Sequence, residues 1–220
     1  GLFTVQDESS MLVAHVLKPR PQQTVLDVCA GPGGKTTHLA QLMNNKGKII
    51  ACDVHEHRRG LIIENAERLG VKIIKTQLLD ATRIAEKLKG QYKLVLVDAP
   101  CSGLGVLRRR SDARWRKEEK EIKELAKLQM QILAGVYPLL APGGRLVYST
   151  CTIEPEENFE VIEKFTVTHP DMVRFDLTPF FPYCPATEEE KEELIRGQRQ
   201  FLPFRDEMEG FFIAGLQKQI

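Results

Sequence analysis

The chain has 220 residues, 42% of them hydrophobic and 28% charged. That is enough material for one well-packed domain, and the composition is too ordinary for a disordered or fibrous protein. A formal net charge of +1 excludes a broadly basic, polyanion-coating surface, so any contact with nucleic acid must come from local clusters of Lys and Arg.

Residues 1–22 read as a lead-in carrying a helix from about Ser9, in ESSMLVAHVL, and residues 23–220 as an α/β core. In chain order, TVLDVCA (24–30), KIIACDV (48–54), KIIKTQLLDA (72–81), YKLVLVDA (92–99) and GRLVYSTC (144–151) are short, β-branched and nearly continuous. Such runs predict buried parallel strands. Between them, GKTTHLAQLMNN, EHRRGLIIENAERLG, TRIAEKLKG and KEEKEIKELAKLQMQILAGVYPLL space their apolar residues as helices do, several closing at Gly. The alternation predicts a doubly wound sheet. Beyond it, EPEENFEVIEKFTVTH reads as a helix and LTPFFPYCPATEEEKEELIRG as a loop whose acidic run, 188–193, is a solvated surface. QRQFLP and GFFIAGLQK read as an antiparallel hairpin edge. No repeat or low-complexity linker divides the chain, so a single domain is expected. From its start at Gly1 rather than Met, a processed or excised chain is expected.

No apolar run is long enough to span a membrane, and GLFTVQDESS has neither the basic flank nor the apolar core of a signal peptide. Five cysteines, at 29, 52, 101, 151 and 184, are an odd number without a C-x-x-C pair. They predict a reduced, cytoplasmic protein without structural zinc. His55 and His57, two positions apart in VHEHRR, do not share a helix face, so no metal site is expected there.

The first strand runs into DVCAGPGGKTTHL, a Gly-rich turn opening a helix, where backbone N–H groups can approach a ligand closely. A Walker A phosphate loop would need its first glycine where Cys29 stands. A G-x-G-x-x-G dinucleotide fingerprint begins with Gly31 and Gly33 and then meets Thr36. Each fails by one residue. S-adenosylmethionine needs acids for its ribose hydroxyls, exocyclic amine and α-ammonium, and acids stand at or just beyond the ends of successive strands: Asp27, Asp53, Asp80 and Asp98. Any one alone reads equally well as a cap or a surface carboxylate; the series favours the methyl donor. Arg58, one turn after Asp53, could reach the same cofactor.

Cys101 follows the fourth strand in VDAPCSG, and Cys151 closes the fifth in YSTCT. As neighbours in the sheet, both would face one crevice. An inert buried thiol is the ordinary reading of a single cysteine; two beside Asp98 point to covalent catalysis. Carbon 5 of a pyrimidine is too weak a nucleophile to attack a sulfonium methyl, but a thiolate added at carbon 6 makes the ring an enamine whose carbon 5 can. Asp98 would donate a proton to ring N3 if burial raises its pKa. The second thiol would take the carbon-5 proton afterwards. Without further information, the Pro-Cys thiol of Cys101 is favoured as the nucleophile.

Together, and in this order along the whole chain, GLFTVQDESS, DVCAGPGGKTT, VDAPCSG, YSTCT and RQFLP…DEMEGFFIAGL resemble the RNA cytosine-C5 methyltransferases. The resemblance implies a class I, Rossmann-like α/β methyltransferase fold: a seven-stranded, mostly parallel sheet whose last strand is antiparallel. It implies that Cys151 is the nucleophile and that Cys101 assists breakdown of the covalent intermediate. It assigns S-adenosylmethionine to Cys29, Ala30, Gly31, Pro32, Gly33, Gly34 and Lys35, with Asp53, Asp80 and Asp98. The implied substrate is RNA, 16S rRNA first and tRNA as the alternative; a non-catalytic RNA-binding module or another nucleotide-binding Rossmann protein stays open. The rRNA enzymes of this type carry an upstream RNA-binding domain resembling NusB, expected to be absent here.

Between the fourth strand and its helix, RRRSDARWRK (108–117) gathers six basic residues and the only Trp. Arg108, Arg109, Arg110 and Arg114 would contact RNA phosphates, while Trp115 either stacks on a base or packs inward. A target cytosine must be unpaired or flipped to reach a thiol in a crevice. The expectation is a cytoplasmic monomer acting without metal or membrane.

Overall fold

The apolar runs assemble into one sheet in a computed structural model, which describes residues 1–109, 115 and 118–220. Its strands are β1 (Thr24–Asp27), β2 (Lys48–Asp53), β3 (Ile74–Leu78), β4 (Tyr92–Asp98), β5 (Leu140–Thr150), β6 (Met172–Arg174), β7 (Gln198–Phe201) and β8 (Phe211–Lys218). They lie in the order β3-β2-β1-β4-β5-β8-β6, with β7 also paired to β8. The neighbours from β3 through β5 are parallel, and β8 runs antiparallel to β5, β6 and β7. This is the seven-strand path expected, plus one short strand sharing β8's outer edge with β6. Chain order reverses between β1 and β4, so their C-terminal ends flank the crevice where open α/β sheets take ligands.

The helices are α1 (Glu8–Leu17), α2 (Gly34–Leu42), α3 (Glu56–Arg68), α4 (Ile84–Lys87), α5 (Glu119–Val136), α6 (Phe159–Thr168), α7 (Glu188–Ile195) and α8 (Pro203–Asp206). They cover both faces of the sheet, which explains the continuous apolar runs. Along β4, Leu94 and Leu96 face a core filled from α1, α2 and α7, while Val95 and Val97 face one filled from α4, α5 and α6. Alternate side chains of a strand point to opposite faces, so a strand buried on both shows no polar alternation. Helix α1 begins at an Asp7 cap, whose carboxylate accepts from the Ser9 N–H at 3.1 Å.

Four expectations change. Strand β3 is the sheet edge and half-exposed rather than buried, because among the described residues no strand pairs with its outer side. Strand β5 starts at Leu140; between Tyr92↔Leu140 and Leu94↔Arg145 it carries three more residues than β4, a bulge containing Gly143 at φ +71°. TRIAEKLKG forms only the single turn of α4 after a 3₁₀ turn at Ala81–Arg83. The acidic run is not a solvated loop but helix α7, capped by Thr187. Its buried Glu190 lies 3.4 Å from the equally buried Arg199, which Glu193 also meets at 2.8 Å. Arg199 needs those carboxylates, since a buried unpaired guanidinium would be strongly unfavourable. Among the described residues, no helix is long and apolar enough to cross a membrane.

Candidate active site

A cavity of about 360 Å³ opens at the C-terminal ends of β1 and β4. One wall is the loop from β1 to α2, shaped by main-chain bonds. The Ala30 N–H donates to Cys52 O at 2.9 Å, and the Gly31 N–H donates to Asp53 Oδ2 at 3.0 Å. A Cβ on Gly31 would lie 2.6 Å from both Asp53 Oδ2 and Arg58 Cβ, so only glycine lets the loop sit this close. Gly33, at φ +105°, takes the left-handed turn that starts α2.

The residues assigned to the cofactor divide. Asp27, Cys29, Ala30, Gly31, Pro32, Gly34, Lys35 and Asp98 line the cavity; Gly33, Asp53, Arg58 and Asp80 do not. Asp53 is occupied by the Gly31 and His55 amides, the latter at 2.9 Å. Asp80 caps its 3₁₀ turn through the Thr82 N–H at 2.8 Å. Arg58 is exposed, with its stem against Gly31.

Asp27 is fully buried. Thr36 Oγ1 donates to its Oδ2 at 2.7 Å, and its Oδ1 has no partner. Burial pushes this carboxyl up to about 7, the Thr36 bond opposing and the nearby Asp98 adding to the rise. The Cys29 thiol is likewise driven well above its ordinary value, first by burial and then by Asp27, Asp98 and Asp53. Across the cavity Asp98 is a partnered carboxylate: Lys35 Nζ lies 2.8 Å from Oδ2, and Ser149 Oγ donates to Oδ1 at 2.7 Å. Lys35 also sits 5.0 Å above the Phe211 ring.

The Asp98↔Ser149 register of β4 and β5 brings the two following loops together. Cys101 Sγ and Cys151 Sγ are 3.2 Å apart without a disulfide between them, and the Cys151 N–H donates to Cys101 Sγ at 3.3 Å. Cys151 lines the cavity and Cys101 does not. The Cys101 thiol is held well above its ordinary pKa, first by its hydrogen bond to Cys151, then by burial and the charges of Cys151 and Glu157.

Beneath the sulfurs is a network that the sequence did not reveal. Glu157, fully buried, accepts from the Ser102 N–H and from Gln129 Nε2, both at 2.9 Å, and from Ser102 Oγ. Ser102 Oγ meets Thr152 Oγ1 at 2.8 Å, and Gln129 Nε2 also donates to Pro100 O at 2.9 Å. The residues that follow each cysteine are thereby tied to one carboxylate. Nothing local distinguishes Glu157 from Glu154 or Glu156; only the pairing of β4 with β5 brings Ser102 to it.

The Arg-rich segment is partly anchored. Arg109 Nη2 lies 2.7 Å from Asp7 Oδ2, and Arg108 Nη2 donates to Met208 O at 3.2 Å. Arg110 and Arg114 lie outside the described residues. Trp115 is exposed rather than packed inward.

Strand order and site together define a Rossmann-like methyltransferase fold. An S-adenosylmethionine-dependent O-methyltransferase of Thermotoga maritima shares that fold alone, at 12% identity and a TM-score of 0.59 over 99% of this chain and 67% of its own. The chain belongs to the RsmB/F family, whose model, described as 16S rRNA methyltransferase RsmB/F, matches residues 14–217. A Bacillus subtilis protein named "Probable ribosomal RNA small subunit methyltransferase B" is 43% identical over 221 residues, covering 100% of this chain and 48% of that protein. NSun6 from Pyrococcus horikoshii, solved with SFG, superposes with a TM-score of 0.84 at 34% identity, over 97% of this chain and 52% of its own. The chain thus spans about half the length of the curated relatives it matches.

Proposed function

We propose that this chain is the catalytic domain of an S-adenosylmethionine-dependent methyltransferase that modifies carbon 5 of a cytosine in small-subunit rRNA through a covalent adduct. The unpartnered Oδ1 of Asp27 fits the cofactor, because a buried carboxylate oxygen facing a cavity suits a ligand cation such as an α-ammonium. Loop residues Cys29–Lys35 would lie along the rest of it. When bound, S-adenosylmethionine supplies an electrophilic methyl group.

Each protein group then has a defined task. The Cys151 thiolate adds to carbon 6 of an unpaired or flipped cytosine, and the electron pair shifts to make carbon 5 nucleophilic. Lys35 and Asp98 offer a paired donor and acceptor to the N3 edge, the acidic proton coming from Lys35 rather than from an isolated acid. Once carbon 5 is methylated, solvent water in the open cavity takes its proton, the proton added at N3 returns to Lys35, the double bond re-forms and Cys151 leaves as thiolate. Cys101, whose raised pKa keeps its proton on, suits a hydrogen-bond donor to that departing sulfur 3.2 Å away.

The observation that carries this reading is the sulfur pair with Cys151 on the cavity wall beside Lys35 and Asp98. Small-subunit rRNA transcribed with 5-fluorocytidine tests it, because fluorine at carbon 5 cannot leave as a proton would and the adduct persists. The wild type and Cys101→Ala should give a denaturation-resistant protein–RNA band, and Cys151→Ala none, with methyl transfer to ordinary transcripts reduced on the order of 10⁴-fold or more in Cys151→Ala. A band from Cys151→Ala but not from Cys101→Ala would overturn the roles.

A further inference from the structure

One carboxylate on the cavity wall has no part in the chemistry above. Glu209 is 8% exposed; its Oε1 lies 3.6 Å from Arg109 Nε, while its Oε2 is buried without a hydrogen-bond partner. An unsatisfied buried polar atom is destabilising by roughly 1–3 kcal/mol, which makes it a natural place for a ligand's donor.

The position of Glu209 is built into the backbone around the proposed nucleophile. The Gly210 N–H donates to Gly105 O at 2.9 Å, and the Gly105 N–H donates to Cys151 O at 3.1 Å. Both glycines are needed for that approach. A Cβ on Gly105 would fall 2.0 Å from Gly210 O, and one on Gly210 would fall 2.7 Å from Gly105 Cα. Glu209 therefore lies next to the backbone that holds Cys151 and lines the same cavity as Cys151, Lys35 and Asp98.

We propose that Glu209 is a specificity residue that accepts a hydrogen bond from the exocyclic N4 amine of the target base, admitting cytosine and rejecting uracil. This rests on the base-methylating reading. Cytosine and uracil have the same carbons 5 and 6, so the Cys151 chemistry alone does not choose between them. They differ at position 4, an amine donor in cytosine and a carbonyl acceptor in uracil. The Lys35–Asp98 pair contains both a donor and an acceptor and can meet the N3 edge of either base. An ionised carboxylate is acceptor-only. Facing uracil O4 it would set two acceptors together in a buried site, the kind of mismatch that gives strong discrimination. Glutamine at the same place has both a carbonyl and an amide N–H₂ and would lose that choice.

The test compares adducts on small-subunit rRNA transcripts carrying 5-fluorocytidine or 5-fluorouridine, with the wild type and with Glu209→Gln and Glu209→Ala. Thermal unfolding and calorimetric S-adenosylmethionine binding check the fold and cofactor site of each variant. The expected result is a wild type trapped on fluorocytidine in strong preference to fluorouridine. In Glu209→Gln that preference should shrink by about tenfold or more, with unfolding and cofactor affinity unchanged. A wild type that traps on neither RNA overturns the base-methylating reading and the proposal with it. A wild type that traps normally while both variants keep its preference, or variants that lose both adducts equally, overturns the role of Glu209 alone.

Discussion

The loops that follow β1 and β4 open on the same edge of the sheet but are held in different ways. After β1 the main chain is the scaffold: the Gly31 and His55 amides fix Asp53, Gly33 turns left-handed into α2, and one carboxylate oxygen, Asp27 Oδ1, is left over. After β4, side chains from separate segments do the holding, with Ser102, Gln129 and Thr152 gathered around Glu157 and the two sulfurs above them. A loop shaped by amides can present a flat, permissive wall to a ligand. Two sulfurs held at a fixed separation need neighbours that cannot move independently.

Removing Glu157 should break this contrast most strongly. Glu157→Ala strips the acceptor from the Ser102 N–H, the Ser102 hydroxyl and Gln129 together, in a site closed to water. We expect a loss of about 2–4 kcal/mol in denaturant unfolding, together with slower adduct resolution on RNA. Glu157→Gln can still accept from the Ser102 amide and turn its N–H₂ to the Ser102 hydroxyl, so it should lose only about 1 kcal/mol. Equal effects of the two substitutions would mean that the network is not what holds the thiols.

Asp27 gives the next effect, through pH. Its folded-state pKa, about 7, lies above the 3.8 of an ordinary Asp. Between those values the folded protein binds more protons than the unfolded chain, so this group makes stability fall as pH rises from about 4 to 7. The full shift corresponds to at most about 4 kcal/mol. Asp27→Asn should flatten that slope and be the more stable protein at pH 8, while binding S-adenosylmethionine less well. In the wild type, affinity should rise as pH increases through about 7, because an ionised Asp27 is the form that pairs with a cation. Calorimetry in buffers of different ionisation enthalpy would count the proton released. A pH-independent affinity, with no proton released, would remove Asp27 from the cofactor site.

What could be read in advance follows the same division. Strands β1, β2, β4 and the loop from Asp27 to Lys35 were legible because their signals are local: a β-branched run, then glycines at the turn into a helix. The placement of Cys101 beside Cys151 followed from adjacent parallel strands. Glu157 and Glu209 were not legible, since each looks like one acid among several until strand pairing or the Gly105–Gly210 contact supplies its surroundings. The run 188–193 is largely solvated as expected, but its helix and the inward turn of Glu190 and Glu193 were not legible, since they depend on Arg199 of the neighbouring strand β7. Asp53 and Asp80 were placed correctly at or just beyond strand ends, yet their carboxylates bond nearby amides rather than line the cavity.

Arg109 marks the boundary between the two regions and carries the smallest effect. Its guanidinium is 56% exposed and joins Asp7, the cap of α1, to the segment after Cys101. It meets Asp7 at 2.7 Å and Glu209 at 3.6 Å, and solvent-screened pairs of this kind contribute up to about 1 kcal/mol each, so Arg109→Ala should lower unfolding stability by only about 1 kcal/mol. Its weight in RNA binding is separable, because each phosphate contact adds a nearly constant increment to the salt dependence of affinity. If Arg109 exchanges Asp7 for a phosphate, the slope of log affinity against log salt should fall by about one in Arg109→Ala. Asp7→Ala should then bind RNA more tightly at low salt, since the guanidinium loses its shorter carboxylate partner and keeps only Glu209 at 3.6 Å. An unchanged slope in both variants would leave Arg109 with one task, pinning the N-terminal wall of the cavity against the loop that carries Cys101.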